Sequence, residues 1–247
     1  MERTDKKYWD EFSRRYKYQI VGNDYFLFDL FRIYLEPDKN KKVLEVGCSP
    51  GSFLIAFHNI LNYQIIGIDY SSLDKTVENM RINGIKEFEL INANFFNLDT
   101  CKKYDIVASF GFIEHFDDPS SVLKKMTEHL NMNGYLVVGL PNRRYLNYIF
   151  HIITYGKKVL ESHNLKIMDI NQLRHSMPDC VSEIYCDYYN GFKYIRHRNS
   201  ILKRLAAFPL LLLAKMTDWF FAVLNIKAAL IHKSFSPYIV YIGKLIG

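Results

Sequence analysis

The sequence predicts an α/β fold built on a parallel sheet with helices on both faces. Three observations carry that reading. From residue 42 onward, short apolar runs alternate with segments of helical periodicity. The runs are continuously apolar rather than alternating, as strands buried on both faces are. The first run ends in a turn of small residues, Gly47-Cys48-Ser49-Pro50-Gly51, set directly before a helix.

Lys42 to Gly47 reads as the first strand. The helix after it presents Phe53, Leu54, Phe57, Ile60 and Leu61 on its apolar face. Ile65 to Asp69 is the second strand, and Ser71 starts a helix with Asp74 in capping-box position and Val77 and Met80 turned inward. Phe88 to Asn92 and Asp105 to Phe110 supply the third and fourth strands. Asp118-Pro119 is an N-cap followed by a proline at the first helical position. That helix buries Val122, Leu123, Met126 and Leu130 and ends before Asn133-Gly134. Tyr135 to Leu140 is the fifth strand. A βαβαβ series of this kind gives a three-layer sandwich. Beyond Pro141, residues 162 to 176 read as helix, Val181 to Asp187 as a strand, and Ser236 to Gly243 as the closing strand.

Composition narrows the function classes. A chain of 247 residues accommodates one large domain, and no Pro/Gly/Ser-rich linker divides it. The net charge of +6 is mild and partly local, in Lys193, Arg196, Arg198, Lys203 and Arg204. Without a basic tail or an RNA-binding signature it argues against a nucleic-acid partner. Cys48, Cys101, Cys180 and Cys186 form no C-x-x-C pair, and no histidine lies at zinc-finger spacing from them, so no metal is expected. The charged segment Met1 to Asp10 has no signal-peptide core, and a cytoplasmic location is expected.

In an open parallel sheet a ligand binds beyond the carboxyl ends of the strands, where strand order reverses. The small-residue turn after the first strand lets a ligand approach the backbone. Asp69, ending the second strand, is placed to accept two hydrogen bonds from a ribose diol. A dinucleotide site would want G-x-G-x-x-G, whose later glycines are Ser49 and Ser52 here. The Glu45 carboxylate beside the turn repels a pyrophosphate and suits a cation. Gly47 to Gly51 also matches the nucleophile elbow of hydrolases. The oxyanion hole of that elbow needs the N–H of the residue after the serine, and Pro50 has none.

Val43-Leu44-Glu45-Val46-Gly47-Cys48-Ser49-Pro50-Gly51 resembles the first motif of class I S-adenosylmethionine-dependent methyltransferases, with Ser49 at the position of the middle glycine. Gly67-Ile68-Asp69-Tyr70-Ser71 is similar to their second-strand element. That likeness implies Asp69 on the ribose and Tyr70 against one face of the adenine. Asn92-Ala93-Asn94-Phe95 aligns with the element that holds the adenine edge, Asn94 standing where the family usually has Asp. Tyr104 to Phe110, followed by Ile113-Glu114-His115-Phe116-Asp117-Asp118-Pro119, resembles the fourth-strand element of the small-molecule branch. Leu130 to Leu136 resembles the turn into their fifth strand. Tyr8-Trp9-Asp10 is similar to N-terminal segments that close over the cofactor.

The resemblance covers residues 8 to about 187 and the last strand. It implies a Rossmann-like seven-stranded sheet with an antiparallel last strand in a single domain over 1–247. The divisions are an N-terminal helical cap at 1–40, a cofactor core at 41–141, a variable cap at 142–162 and 188–234, and the last strand at 235–243. The implied cofactor is S-adenosylmethionine, held by Glu45, Gly47, Cys48, Ser49, Gly51, Asp69, Tyr70, Asn94, Phe95 and Phe110. The implied reaction is methyl transfer to an oxygen, less readily a nitrogen, of a small molecule. The alternatives are a catalytically silent relative that binds the cofactor or a partner protein without turnover, and a nucleotide-dependent oxidoreductase.

His115 is the candidate general base, because it follows the fourth strand and faces the methyl. Its other reading is a turn histidine bonded to backbone, and Glu114 reads as structural. His163, His175, His197 and His232 read as surface or packing residues. The apolar segment 201–231, behind its basic cluster, reads as a cap over the acceptor site or a dimer interface. Its second reading is a contact at the inner membrane surface, with a lipid-linked acceptor.

Overall fold

A computed structural model describes residues 2–14, 16–190, 208–209, 212, 215–216, 231–234 and 236–246. Most of the segment 201–231, with its cap, dimer-interface and membrane readings, lies outside the described residues. Helices α1 (Lys6–Arg14) and α2 (Phe28–Tyr34) precede the sheet. Then follow β1 (Lys42–Val46), α3 (Ser52–Leu61), β2 (Gln64–Asp69), α4 (Asp74–Ile82), β3 (Glu89–Asn92), β4 (Tyr104–Phe110), α5 (Pro119–Thr127) and β5 (Leu130–Pro141). The chain continues through α6 (Tyr145–Tyr155), α7 (Lys158–Glu161), α8 (Ile170–Ser176), β6 (Val181–Tyr189) and β7 (Tyr238–Leu245).

The seven strands form one sheet in the order β3-β2-β1-β4-β5-β7-β6. β1 to β5 run parallel, and β7 is antiparallel to both β5 and β6, as expected for the last strand. Side chains alternate across it. Leu44, Val46, Val107, Leu136 and Val138 pack on one face with Val122, Leu123 and Met126 of α5. Val43, Ile65, Ile106, Ala108 and Val137 pack on the other with Phe28 and Phe31 of α2 and Leu54, Ile55 and Phe57 of α3. Strand order reverses between β1 and β4, so the cleft for a ligand opens over the turn that follows β1.

Several boundaries differ from the sequence reading for identifiable reasons. α4 starts at Asp74 and exposes Val77, because its inward face belongs to Thr76, Asn79 and Met80. Asn79 faces inward because its amide donates to Pro50 O at 3.0 Å and braces the turn after β1. The expected turn at Leu130–Gly134 is instead a bulge inside β5. The register against β4 jumps from Tyr104↔Leu130 to Ile106↔Tyr135, and Asn131 bonds Asp105 Oδ1 at 3.0 Å. The helix expected over 162–176 begins only at Ile170, where Asp169 caps the N–H groups of Asn171 and Gln172. The residues before it strap the loop after β4: Asn164 N–H donates to Glu114 O at 2.6 Å and its amide to Phe116 O at 3.1 Å. No helix among the described residues is long and apolar enough to cross a membrane.

Candidate active site

Two turns at the carboxyl edge of the sheet build the site. The first leaves β1 at Gly47, whose φ of +73° favours glycine. A Cβ there would fall 2.6 Å from the Phe112 ring, so the close approach admits no side chain. The N–H groups of Gly47 and Cys48 both donate to Ile68 O, at 2.9 and 3.3 Å, and clasp this turn to β2. Gly51, at φ +87°, bends the chain into α3. The second turn leaves β2 at Asp69. Its Oδ1 accepts from Ser71 N and Ser71 Oγ at 2.8 and 2.7 Å, and its Oδ2 accepts from Ser49 N at 3.1 Å. The carboxylate therefore joins both turns, with lone pairs left for a diol.

Between the turns lies a cavity of about 580 Å³. Glu45, Gly47, Cys48, Ser49, Asp69, Tyr70, Asn94, Phe95, Phe110 and His115 all line it; Gly51 shapes the turn without lining it. Glu45 is buried, its Oε2 has no hydrogen-bond partner among the described residues, and desolvation holds its pKa well above the usual carboxylate range. Such an oxygen calls for a cationic ligand group. Asn94 Oδ1 caps the 3-10 turn at Phe95–Asn97 by accepting from Phe96 N at 3.0 Å, so one lone pair of that oxygen is already committed. Burial, ahead of the charges of Glu45 and Asp69, pushes the Cys48 thiol well up, which makes it a packing group and not a nucleophile. Phe110 stacks on Phe53, ring centroids 3.8 Å apart.

The N-terminal segment forms one wall through Glu2, Tyr8, Trp9 and Tyr16. Tyr70 Oη donates to Glu2 Oε1 at 2.7 Å. Arg3 pairs with Asp117 through Nε at 2.8 Å and donates from Nη1 to His163 O at 3.0 Å. The far end of the cavity is lined by Glu114, His115, Arg143, His151, His163 and Tyr238. His115 Nδ1 lies 2.9 Å from Ser162 O. A carbonyl only accepts, so Nδ1 carries the proton and Nε2 keeps a lone pair. His115 is thus bonded to backbone, as its turn reading expects, and it also lines the cavity.

Burial pushes His115 down to about 4 and His163 down to about 2, so both rings are neutral at physiological pH. Glu114, buried with Oε2 unpartnered among the described residues, is pushed up to about 7 by desolvation. Ligand-capable atoms of Glu114, His115 and His163 lie within 4.8 Å of one another, close enough for one cation. The charge of Arg143, which lowers the pKa of both histidines, opposes a cation there. Sequence reasoning missed Glu2, Phe112, Arg143, His151 and Tyr238. Only Arg143 carried a usable signal, two residues past Pro141 at the carboxyl end of a parallel strand.

A small-residue turn, an acid ending β2, an unpartnered buried carboxylate and this sheet order together define a class I S-adenosylmethionine-dependent methyltransferase. Residues 37–188, more than half of the chain, match the family described as methyltransferase domain, and the chain belongs to that family. It is similar to the mitochondrial ubiquinone biosynthesis O-methyltransferase of Dictyostelium discoideum, 23% identical over 129 residues, covering 47% of this chain and 40% of that protein. It is similar also to the ubiquinone biosynthesis O-methyltransferase of Rickettsia prowazekii, 25% identical over 159 residues, covering 62% of this chain and 61% of the relative. The chain thus spans less than two thirds of these relatives. Among solved structures, a Bacillus halodurans protein described as a putative methyltransferase superposes with a TM-score of 0.59 at 16% identity, over 92% of this chain and 100% of that one. Coclaurine N-methyltransferase bound to N-methylheliamine and S-adenosylhomocysteine superposes with a TM-score of 0.58 at 16% identity, over 87% of this chain and 71% of that one. At such identities these two structures share the fold.

Proposed function

We propose that the protein transfers a methyl group to an oxygen of a small-molecule acceptor. The observation that carries the reading is Glu114, a buried carboxyl that lines the cavity, has an oxygen without a hydrogen-bond partner among the described residues, and titrates near 7. A hydroxyl must lose its proton as its oxygen attacks, and a base titrating near the working pH takes that proton best. His115, at about 4, is a weaker proton acceptor. In this reading the hydroxyl points its one proton at Glu114, which takes it, while the neutral His115 ring lines the cavity beside it. The O-methyltransferase names of the curated relatives support oxygen as the acceptor atom.

S-adenosylmethionine, when bound, supplies an electrophilic methyl on a sulfonium. Glu45 would hold its ammonium, Asp69 its ribose diol, Tyr70 a face and Asn94 an edge of its adenine. Phe95 and Phe110 would complete the apolar wall, with the turn of Gly47, Cys48, Ser49 and Gly51 beneath. The remaining chemistry is alignment of acceptor and methyl in a water-poor cavity. The four unpaired cysteines support a cytoplasmic location. Leu146 and Ile149, exposed on α6, support peripheral contact with a membrane, and with it a lipid-linked acceptor.

Calorimetric titration with S-adenosylhomocysteine, with NADH as control, tests the cofactor. Saturable binding of the former alone is expected. Incubation with labelled S-adenosylmethionine and paired hydroxyl and amine acceptors tests the reaction. Labelled methyl ether supports the reading, and label found only on nitrogen, or no turnover by a protein that binds the cofactor, overturns it.

A further inference from the structure

We infer that Tyr16 and Tyr25 receive the carboxylate on the amino-acid head of S-adenosylmethionine, two neutral phenols donating to it while Glu45 takes the ammonium beside it. This rests on the methyltransferase reading and names a further part of the same site. The carboxylate is the one anionic group of that cofactor. Among the described residues that line the cavity, the only lysine or arginine is Arg143, at the far end. A partner near Glu45 must therefore be a neutral donor.

Tyr16, Gln19, Tyr25 and Ser52 line the cavity together with Glu45. Their bonds meet at Ser52, the first residue of α3. Ser52 Oγ accepts from Gln19 Nε2 at 3.2 Å and from Asn79 Nδ2 at 3.5 Å, which occupies both of its lone pairs. Its own proton therefore goes to Tyr16 Oη, 2.7 Å away. Tyr16 keeps its phenol proton for an acceptor in the cavity. Gln19 Nε2 directs its second proton to Tyr25 Oη at 3.4 Å, so Tyr25 accepts here and likewise keeps its proton. Burial raises the Tyr25 pKa to about 12 and the charge of Glu45 adds to the rise, so this phenol stays protonated near that carboxyl. The start of α3 brings the positive end of a helix to the same place. Two O–H donors lacking an acceptor among the described residues thus stand near a buried carboxyl oxygen lacking a donor. An α-amino-acid head, with ammonium and carboxylate on one carbon, answers both needs.

The test is calorimetric titration of the full chain with S-adenosylhomocysteine and with its decarboxylated analogue, the aminopropyl thioether of adenosine, which keeps the amine. The unmodified protein should bind S-adenosylhomocysteine about tenfold or more tighter than the analogue. Tyr16→Phe and Tyr25→Phe each keep the ring and remove the donor. Each should weaken S-adenosylhomocysteine about tenfold and leave the analogue within about threefold. The double variant should abolish the preference. A purely structural role in the cavity wall would weaken both ligands by the same factor, and that result overturns the proposal. A preference that survives in the double variant also overturns it. So does an analogue that binds the unmodified protein as tightly as S-adenosylhomocysteine, a comparison that needs no variant to fold. Failure of the unmodified protein to bind S-adenosylhomocysteine would instead sink the methyltransferase reading beneath it.

Discussion

The indole of Trp9 stands edge-on to the imidazole of His115, ring centroids 4.8 Å apart and planes at 85°. Arg3 N–H donates to His115 O at 2.7 Å, and Trp9 Nε1 donates to Thr4 Oγ1 at 2.9 Å, so the N-terminal segment is built onto the loop after β4. The cavity wall at its cofactor end and the orientation of His115 at its acceptor end therefore depend on one segment.

Trp9→Ala removes that edge contact and opens the wall. Edge-to-face pairs contribute about 0.5–1.5 kcal/mol beyond area burial. S-adenosylhomocysteine should dissociate roughly tenfold faster, with only a small loss of thermal stability. Stopped-flow displacement measures this, and an unchanged dissociation rate would show that the segment does not close the site.

Asp69→Ala should abolish measurable cofactor binding by calorimetry. The carboxylate is asked to serve a ribose diol, and it also ties Ser49 N–H to Ser71, so both turns loosen when it is lost. Hydrogen bonds to a charged acceptor contribute about 1.5–3 kcal/mol each, which predicts at least a hundredfold loss. Asp69→Asn, which keeps an acceptor, should lose less. Equal affinity of Asp69→Ala and the unmodified protein would refute the site assignment.

Glu114→Gln should lower turnover about 10²-fold or more while leaving S-adenosylhomocysteine affinity nearly intact. Turnover of the unmodified protein should fall about tenfold per pH unit below 7, as Glu114 becomes protonated. His115 stays neutral throughout that range and adds no inflection. The stability effect has its own sign. A carboxyl raised from 4.5 to about 7 binds its proton more tightly in the folded state, so folding loses stability as pH rises through that window. The loss amounts to roughly 3 kcal/mol. Denaturant titrations at pH 5 and pH 8 should show Glu114→Gln losing less than the unmodified protein by about this amount, with the Glu45 contribution common to both, and an equal loss in both proteins would assign the effect elsewhere.

The sheet was legible because its strands are continuously apolar and its turns carry small residues, so periodicity, Gly47 and Asp69 pointed to one architecture. The cofactor end was legible for the same reason: Glu45, Asp69, Tyr70 and Asn94 are read by position relative to strand ends. The acceptor end was not. Arg143, His151 and His163 meet Glu114 and His115 only through packing of α6, α7 and the 162–169 strap against the loop after β4. Glu114 looked structural because nothing local in Ile113-Glu114-His115 reveals that its carboxyl is buried and lines the cavity. Val77 misled for the converse reason, since the inward positions of α4 serve a hydrogen bond from Asn79 that an apolar pattern does not encode.

Gly67 tests whether the interior of β2 supports the turn after β1. A Cβ on Gly67 would fall 2.6 Å from Cys48 Sγ and 2.7 Å from Leu54 Cδ1, both buried. Gly67→Ala must therefore push the turn and α3 away from β2. Overpacking of this kind costs about 1–3 kcal/mol, and the displaced turn carries the Ser49 N–H that bonds Asp69. Both thermal stability and S-adenosylhomocysteine affinity should fall. Cys48→Ala removes the nearer sulfur, so adding it to Gly67→Ala should recover part of both losses and leave the strain against Leu54. The double variant should be more stable than the sum of the single effects, because the two residues share one contact. Strict additivity would mean that the added methyl is absorbed elsewhere, and that Cys48 does not transmit strain from β2 to the cofactor turn.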